Sequence, residues 1–316
     1  MKKLALLGEC MIELNGEPFG AMRQSYGGDT LNTATYVARV SSSDKIEVYY
    51  VSALGTDKLS QAMAEHWRAD GIKTDWVLCD PMRQPGLYLI QLDQHGERTF
   101  LYWRSQSAAR YLLQHRDYPR VLSELAQVDA IYFSGISLAI LPENDRTLFI
   151  QQLNALRNNG VEIIFDSNYR PQLWQNPSQA QRYYATLLPL VDVALVTFDD
   201  ERLLWGDQDV QDCLRRLAAH GINKIVLKQG KCGAILYQNG QQVSVPTIPA
   251  TQVVDTTSAG DAFNAGFLNG YLQQKDLISC CRQGNQLAGI VIQHKGAIIP
   301  SAATVHLIEQ FNEDRK

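Results

Sequence analysis

The feature that most constrains this chain is a repeated alternation. Short apolar runs stop at turn residues, and stretches with helical period fill the gaps. Leu4–Leu7 stops at Gly8, Val48–Ala53 at Leu54-Gly55-Thr56-Asp57, and Ala130–Phe133 at Ser134-Gly135. Val161–Phe165 stops at Asp166, Val191–Val196 at Thr197, and Lys224–Leu227 just before Gln229-Gly230. Between them lie helix-period stretches at Thr30–Val40, Ser60–Asp70, Pro142–Asn159, Ser178–Leu188, Val210–His220 and Gly260–Leu272. Strands alternating with helices in this way predict βαβ units. The expected class is α/β, with a mostly parallel, buried central sheet flanked by helices.

Two regions break the rhythm. Glu13–Tyr26 holds polar and turn residues with no helix period. Gly86–Arg104 reads as two alternating strands, Leu87–Leu92 and Thr99–Trp103, joined by Asp93-Gln94-His95-Gly96-Glu97 as a hairpin. A small β appendage early in an α/β chain suggests a lid over the sheet's carboxyl edge, where ligands bind in open α/β sheets. There is no internal repeat, low-complexity segment or Pro/Ser-rich linker. The expectation is one domain over residues 1–316, with lid segments at about 12–27 and 86–104.

Charge and cysteine usage exclude several classes. With 29 Lys and Arg against 33 Asp and Glu, the net charge is −4. That leaves no global positive field for nucleic acid or anionic lipid, so anion binding must be local. The six cysteines form no C-x-x-C pair, which argues against zinc and dithiol chemistry and for reduced thiols in a cytoplasmic protein. Leu4–Leu7 is too short for a signal peptide core and reads as a first strand. The longest uncharged apolar stretch, Ala130–Leu141, is too short to span a bilayer. His66, His95, His115, His220, His294 and His306 show no metal-ligand spacing and read as surface or packing residues.

Chemistry concentrates in Asp255-Thr256-Thr257-Ser258-Ala259-Gly260-Asp261-Ala262-Phe263-Asn264-Ala265-Gly266. Small side chains let a ligand approach the backbone, and the free N–H groups of a helix start attract anions. Ser258, Ala259 and Gly260 could present N–H groups to a phosphoryl group in flight. Asp261, in the first turn, could take the proton of a substrate hydroxyl. The same residues also fit a plain capped helix, with Thr257 or Ser258 as N-cap.

The whole twelve-residue pattern resembles the second signature of the ribokinase (PfkB-type) sugar kinase family. Gly27-Gly28-Asp29-Thr30-Leu31-Asn32-Thr33-Ala34 matches that family's Gly-Gly-x-x-x-Asn-x-Ala element, and Gly55-Thr56-Asp57 recurs after its second strand. The resemblance runs from about Lys3 to beyond Pro300. It implies a ribokinase-like fold, ATP as donor with Mg²⁺, and Asp261 as base. On the nucleotide side it implies roles for Lys228, Gly230 and Gly233 of the Lys-x-Gly-x-x-Gly turn, for Asn168, and for Asn285. Thr197 and Asp200 occupy the place of an Asn-x-x-Glu element tied to Mg²⁺ and phosphate, which makes Asp200 a metal candidate acting through water. The turn is no Walker A loop, because Cys232 follows Lys231. Gly8-Glu9-Cys10 lacks the dinucleotide fingerprint.

On the substrate side, Arg170 ends a buried strand, while Tyr88, Tyr102 and Arg104 lie on the lid strands. Two arginines and two tyrosines at one cleft suit a carboxylate with hydroxyls. With Gly8–Glu13 and Gly135–Ala139, these stretches resemble the branch of the family that acts on 2-keto-3-deoxygluconate. That implies phosphorylation of its C6 hydroxyl, with Gly28, Asn32, Tyr88, Tyr102, Arg104 and Arg170 holding the sugar acid. Kinases of the same fold acting on fructose or a nucleoside, and a non-catalytic sugar-acid sensor, remain alternatives. Gln293–Ala297 departs from relatives with an acidic residue there and is assigned no substrate contact. No nucleic acid or membrane partner is implied, and a homo-oligomer through the lid strands is compatible with the resemblance.

Overall fold

In the computed structural model, residues 1–92 and 98–313 are described. The Asp93–Glu97 connection of the expected hairpin, with His95, lies outside the described residues. The strands are β1 (Lys2–Leu7), β2 (Met11–Gly16), β3 (Met22–Gly27), β4 (Ile46–Leu54), β5 (Val77–Cys79), β6 (Leu87–Leu92), β7 (Arg98–Trp103), β8 (Ala130–Ser134), β9 (Glu162–Asp166), β10 (Val193–Thr197), β11 (Lys224–Lys228), β12 (Ala234–Gln238) and β13 (Gln241–Val245). The helices are α1 (Asp29–Val40), α2 (Lys58–Ala69), α3 (Tyr118–Leu125), α4 (Gly135–Ile140), α5 (Glu143–Asn158), α6 (Pro177–Leu187), α7 (Phe198–Trp205), α8 (Val210–Ala219), α9 (Ala259–Leu272), α10 (Leu277–Val291) and α11 (Leu307–Asn312).

The apolar runs assemble into one sheet in the order β13-β12-β11-β10-β9-β8-β1-β4-β5. Pairing is parallel from β11 through to β5, and antiparallel only at β11–β12 and β12–β13. This is the expected α/β class. Side chains alternate between two cores. Leu7, Phe133 and Phe165 point into one core with Phe149 of α5 and Tyr184 of α6. Leu6, Tyr132 and Ile164 point into the other with Leu31 of α1 and Phe267 of α9. Both faces are covered, so the strands read as continuous apolar runs.

Register decides what meets at the carboxyl edge. Ser134 pairs with Asp166, and Thr197 pairs with Lys228. Polar residues that end separate runs in sequence therefore stand side by side on one rim.

The second sheet has the order β3-β2-β6-β7. β2 and β6 run parallel although far apart in the chain, while β2–β3 and β6–β7 are antiparallel. β3 ends at Gly27, and α1 begins two residues later at Asp29. A small cluster of Met11, Tyr88 and Ile90 backs this sheet. Phe100, Leu101, Tyr102 and Trp103 on its edge strand β7 are 42–59% exposed. Ala130–Leu141 forms β8 and then α4, and no described helix is long and apolar enough to cross a membrane.

Helices α9 and α10 touch backbone to backbone. A Cβ on Gly266 would lie 2.6 Å from the carbonyl oxygen of Gln283, and one on Gly284 would lie 2.7 Å from that of Phe263. Only glycine permits that approach.

Candidate active site

Asp261 sits in the first turn of α9, partly exposed. The Asn32 amide of α1 donates to its carboxylate at 2.9 Å, and the Thr33 hydroxyl donates to its carbonyl at 3.3 Å. The Gly28 N–H faces the Asn32 carbonyl oxygen at 3.5 Å. Asn32 thus ties the glycine pair to Asp261. Burial, with the nearby Asp29 carboxylate, pushes Asp261 up to about 7, and the Asn32 hydrogen bond only partly offsets this. A carboxylate poised there can exchange a proton near neutral pH.

The turn before Asp261 is not a side-chain-capped helix start. Ser258 occupies the N-cap with a φ of 65° and makes no side-chain cap bond. The Thr257 hydroxyl instead binds Asp255 at 2.7 Å. The Ala259 N–H closes the turn onto the Thr256 carbonyl at 3.2 Å. Asn168, on the facing strand end, also holds a positive φ of 30°. Non-glycine residues seldom adopt this region, and such backbone collects at functional sites.

Beneath the turn lies a buried polar network. The Lys228 ammonium donates to Asp166 and to Asn264, each at 3.0 Å. The Asn264 amide donates to Asp166 at 2.7 Å and to the Tyr132 hydroxyl at 2.9 Å. The same ammonium lies 3.6 Å from where a Gly260 Cβ would project, so its charge sits directly under the 258–260 turn. The Asn168 amide bonds Asp29 at 2.6 Å, and burial raises the Asp29 carboxyl above its ordinary value.

Next to Gly28 and Asp29 opens a cavity of about 430 Å³, with Glu9, Tyr102, Arg104, Arg110 and Arg170 on its walls. Arg104 pairs with Glu9, which is only 2% exposed. Arg170 reaches Asp200 at 3.3 Å and the Tyr169 carbonyl at 2.9 Å. Burial raises the Asp200 carboxyl, and Arg170 opposes the rise. A Cβ on Gly28 would strike the Glu9 carbonyl oxygen at 2.1 Å, so glycine is required where the two segments cross. The Tyr88 hydroxyl bonds Glu13, and burial with that carboxylate raises its ionisation far above the ordinary range. It stands 3.0 Å from the Cβ position of Gly27, beside the glycine pair.

The remaining sequence candidates are Thr197, Gly230, Gly233 and Asn285. Thr197 begins α7 without a side-chain cap bond. Within α7, Asp200 faces Arg170, while Glu201 turns inward to Arg216 at 2.8 Å. Gly230 and Gly233 shape the β11–β12 turn with φ of 52° and 89°. The Asn285 amide holds the Val245 carbonyl at 3.0 Å and that of Pro246 at 3.3 Å.

The sequence reading passed over Glu9, Asp29, Arg110, Asp166 and Asn264. A charge inside the apolar run Leu4–Ile12 could have flagged Glu9 as a buried, paired residue. Asp29 and Asn264 lie inside quoted motifs, and Asp166 ends a quoted apolar run, but none of the three was given a role. Arg110 carried no local signal.

Comparison with known proteins bears on this arrangement. A profile described as pfkB family carbohydrate kinase matches residues 1–304. A 2-dehydro-3-deoxygluconokinase from Haemophilus influenzae is 63% identical, over 99% of this chain and 100% of that protein. A protein of the same name from Dickeya dadantii is 44% identical, over 96% of this chain and 98% of its own length. A crystal structure of fructokinase with bound ATP from Xylella fastidiosa superposes with a TM-score of 0.81 at 21% identity, covering 98% of this chain and 99% of that one, a likeness of fold alone.

Proposed function

The chain belongs to the pfkB family of carbohydrate kinases, and on that footing we propose that it transfers the γ-phosphoryl group of ATP to the C6 hydroxyl of 2-keto-3-deoxy-D-gluconate. The observation that carries the reaction type is the Asn32–Asp261 bond at 2.9 Å, which ties a carboxyl pushed up to about 7 to the helix start whose Gly28 and Asp29 line the arginine-rich cavity. The full-length relatives named 2-dehydro-3-deoxygluconokinase support the acceptor.

The sugar acid enters the cavity beside Gly28, with Tyr88, Tyr102, Arg104 and Arg170 as its contacts. Asn32 holds Asp261 toward the acceptor hydroxyl. The hydroxyl oxygen forms a bond to the γ-phosphorus, the bond to the β–γ bridging oxygen breaks, and the hydroxyl proton passes to Asp261. The products are the 6-phosphate and ADP. The 258–260 turn and the Lys228 charge beneath it stabilise the negative charge of the moving group. Asn168, Thr197, Gly230, Gly233 and Asn285 belong to the nucleotide side.

Mg²⁺ suits the oxygen donors available. Asp200 gives one oxygen to Arg170, and its other oxygen accepts no hydrogen bond among the described residues. A hard cation that keeps most of its waters can be met there through water. When bound, the ion neutralises charge on the phosphates. The exposed apolar edge of β7 supports association between copies through the lid sheet. ATP as donor and six free cysteines fit the cytoplasm.

A coupled ADP assay with ATP and Mg²⁺ tests the reading against 2-keto-3-deoxygluconate, fructose and adenosine. The keto acid should be turned over with a kcat/KM at least tenfold above the other two, on the order set by hydrogen-bonded recognition. Faster turnover of fructose or adenosine would reassign the acceptor. No ADP from any sugar acid would leave a sensor.

A further inference from the structure

Three guanidinium groups line the cavity, and two already hold an acid: Arg104 holds Glu9, and Arg170 holds Asp200. Arg110 holds none among the described residues. Its Nη1 donates to the Ile140 carbonyl at 2.5 Å, where α4 ends. Its Nε is buried without a hydrogen-bond partner. We infer that Arg110 is the specificity-determining residue that receives the carboxylate of an acidic sugar. This rests on the sugar-acid reading above.

Charge balance carries the inference. The Arg104–Glu9 pair has no net charge, and Glu9 is 2% exposed, so water does little to screen it. A second carboxylate placed on Arg104 alone would meet the repulsion of Glu9 in a medium of low dielectric. Among the described residues Arg110 meets no acid, but the Ile140 carbonyl dipole and the Tyr111 ring, 5.9 Å from its guanidinium carbon. The acid beside it on the wall, Asp29, is taken up by the Asn168 amide at 2.6 Å and the Thr30 N–H at 2.9 Å.

Geometry adds a second argument. A carboxylate binds a guanidinium best through two parallel N–H groups, and Nη1 with Nη2 is one such edge. In Arg110 Nη2 makes no hydrogen bond among the described residues, and Nη1 gives one of its two N–H groups to Ile140, while Nε is closed off from solvent. The side chain springs from a short turn, Ala108–Gln114, seated on buried Ala108, Ala109, Leu112 and Leu113. A fork held this way loses little freedom when it takes up a ligand.

The test uses the full chain with Arg110→Met and Arg110→Lys. It reads KM for 2-keto-3-deoxygluconate, KM for ATP, and the inhibition constant of 3-deoxyglucosone, which has a neutral aldehyde in place of the acid. Arg110→Met should raise KM for the acid roughly 10- to 100-fold, the size expected for a lost charged hydrogen bond. KM for ATP and the constant for the neutral analogue should stay within about twofold, since neither meets the charge. Arg110→Lys keeps the charge and a donor for Ile140, so it guards against misfolding, and it should recover part of the acid's affinity. Equal changes for acid and neutral analogue in both variants would overturn the assignment and leave Arg110 as a brace for α4. A wild-type enzyme that does not phosphorylate the acid overturns the functional reading and this inference together. A wild-type enzyme that does, with an acid KM indifferent to Arg110, overturns the inference alone.

Discussion

The two edges of the central sheet make an instructive contrast. At the amino edge lies the larger hollow, about 770 Å³, and it is rich in charge. There each named cation meets an acid: Lys2 with Asp129 at 2.7 Å, Arg157 with Asp192 at 3.0 Å, and Lys224 with Glu162 at 3.0 Å. The acids also finish the sheet, since Asp129 accepts from the Lys3 N–H at 2.8 Å and Asp192 from the Ile163 N–H at 2.9 Å. At the carboxyl edge the hollow is smaller, about 430 Å³, and the accounts are left open. Asp261 has a neutral amide for company, and Arg110 has a carbonyl. Chemistry gathers where charge is left for a ligand to complete, and the size of a hollow is a poor guide to it.

The sharpest way to break this contrast is Asp261→Asn. It should keep the fold and the KM for ATP while lowering kcat by about 10³-fold, within the range for loss of a general base. A kcat within tenfold of wild type would put the base elsewhere. A smaller but more diagnostic effect is the acid limb of the pH profile. Because Asp261 is pushed up to about 7, it is protonated below that pH. The kcat/KM for the sugar acid should therefore fall about tenfold per pH unit below 7. A flat profile from pH 5 to 7 would exclude Asp261 as the titrating base. The same group favours the folded state most at low pH. It loses that contribution as pH rises from about 4, the unfolded value, through about 7.

The smallest effect belongs to the amino edge. Lys224 and Glu162 have half-exposed side chains, 35% and 28%. Such pairs contribute about 1 kcal/mol or less. Lys224→Met should lower the melting temperature by a few degrees at most and leave kcat/KM within about twofold. A tenfold loss of kcat/KM would make this edge part of the functional machinery.

Much of the fold was legible because burial on both faces writes strands as apolar runs. β1, β4 and β8 to β11 each coincide with one such run, and α1, α2, α5, α6, α8 and α9 with the helical periods between them. Strands β2 and β3 of the second sheet were not legible as strands. Burial along β2 and β3 grades from one end to the other rather than alternating, so no period-two pattern marks an inner face. Helix α7 hid because its first turn, Asp199-Asp200-Glu201, reads as a metal motif. In the site, residues that belong to a contiguous signature could be named, such as Asp261 and Asn32. Their partners could not, because Glu9 finds Arg104 and Asp166 finds Lys228 only through folding. Arg110 was hidden for a further reason: what distinguishes it is the lack of an acid partner among the described residues, and a sequence does not display absences.

The glycine contact between α9 and α10 has a mechanical reading. Asp261 opens one helix, Asn285 sits on the other, and where the two cross no side chain separates the main chains. Side chains can swing to absorb an error, whereas two abutting peptide planes cannot. The spacing between the proposed base and the wall proposed to face the nucleotide is thus gauged like a machined seat, with a single methyl group enough to spoil the fit.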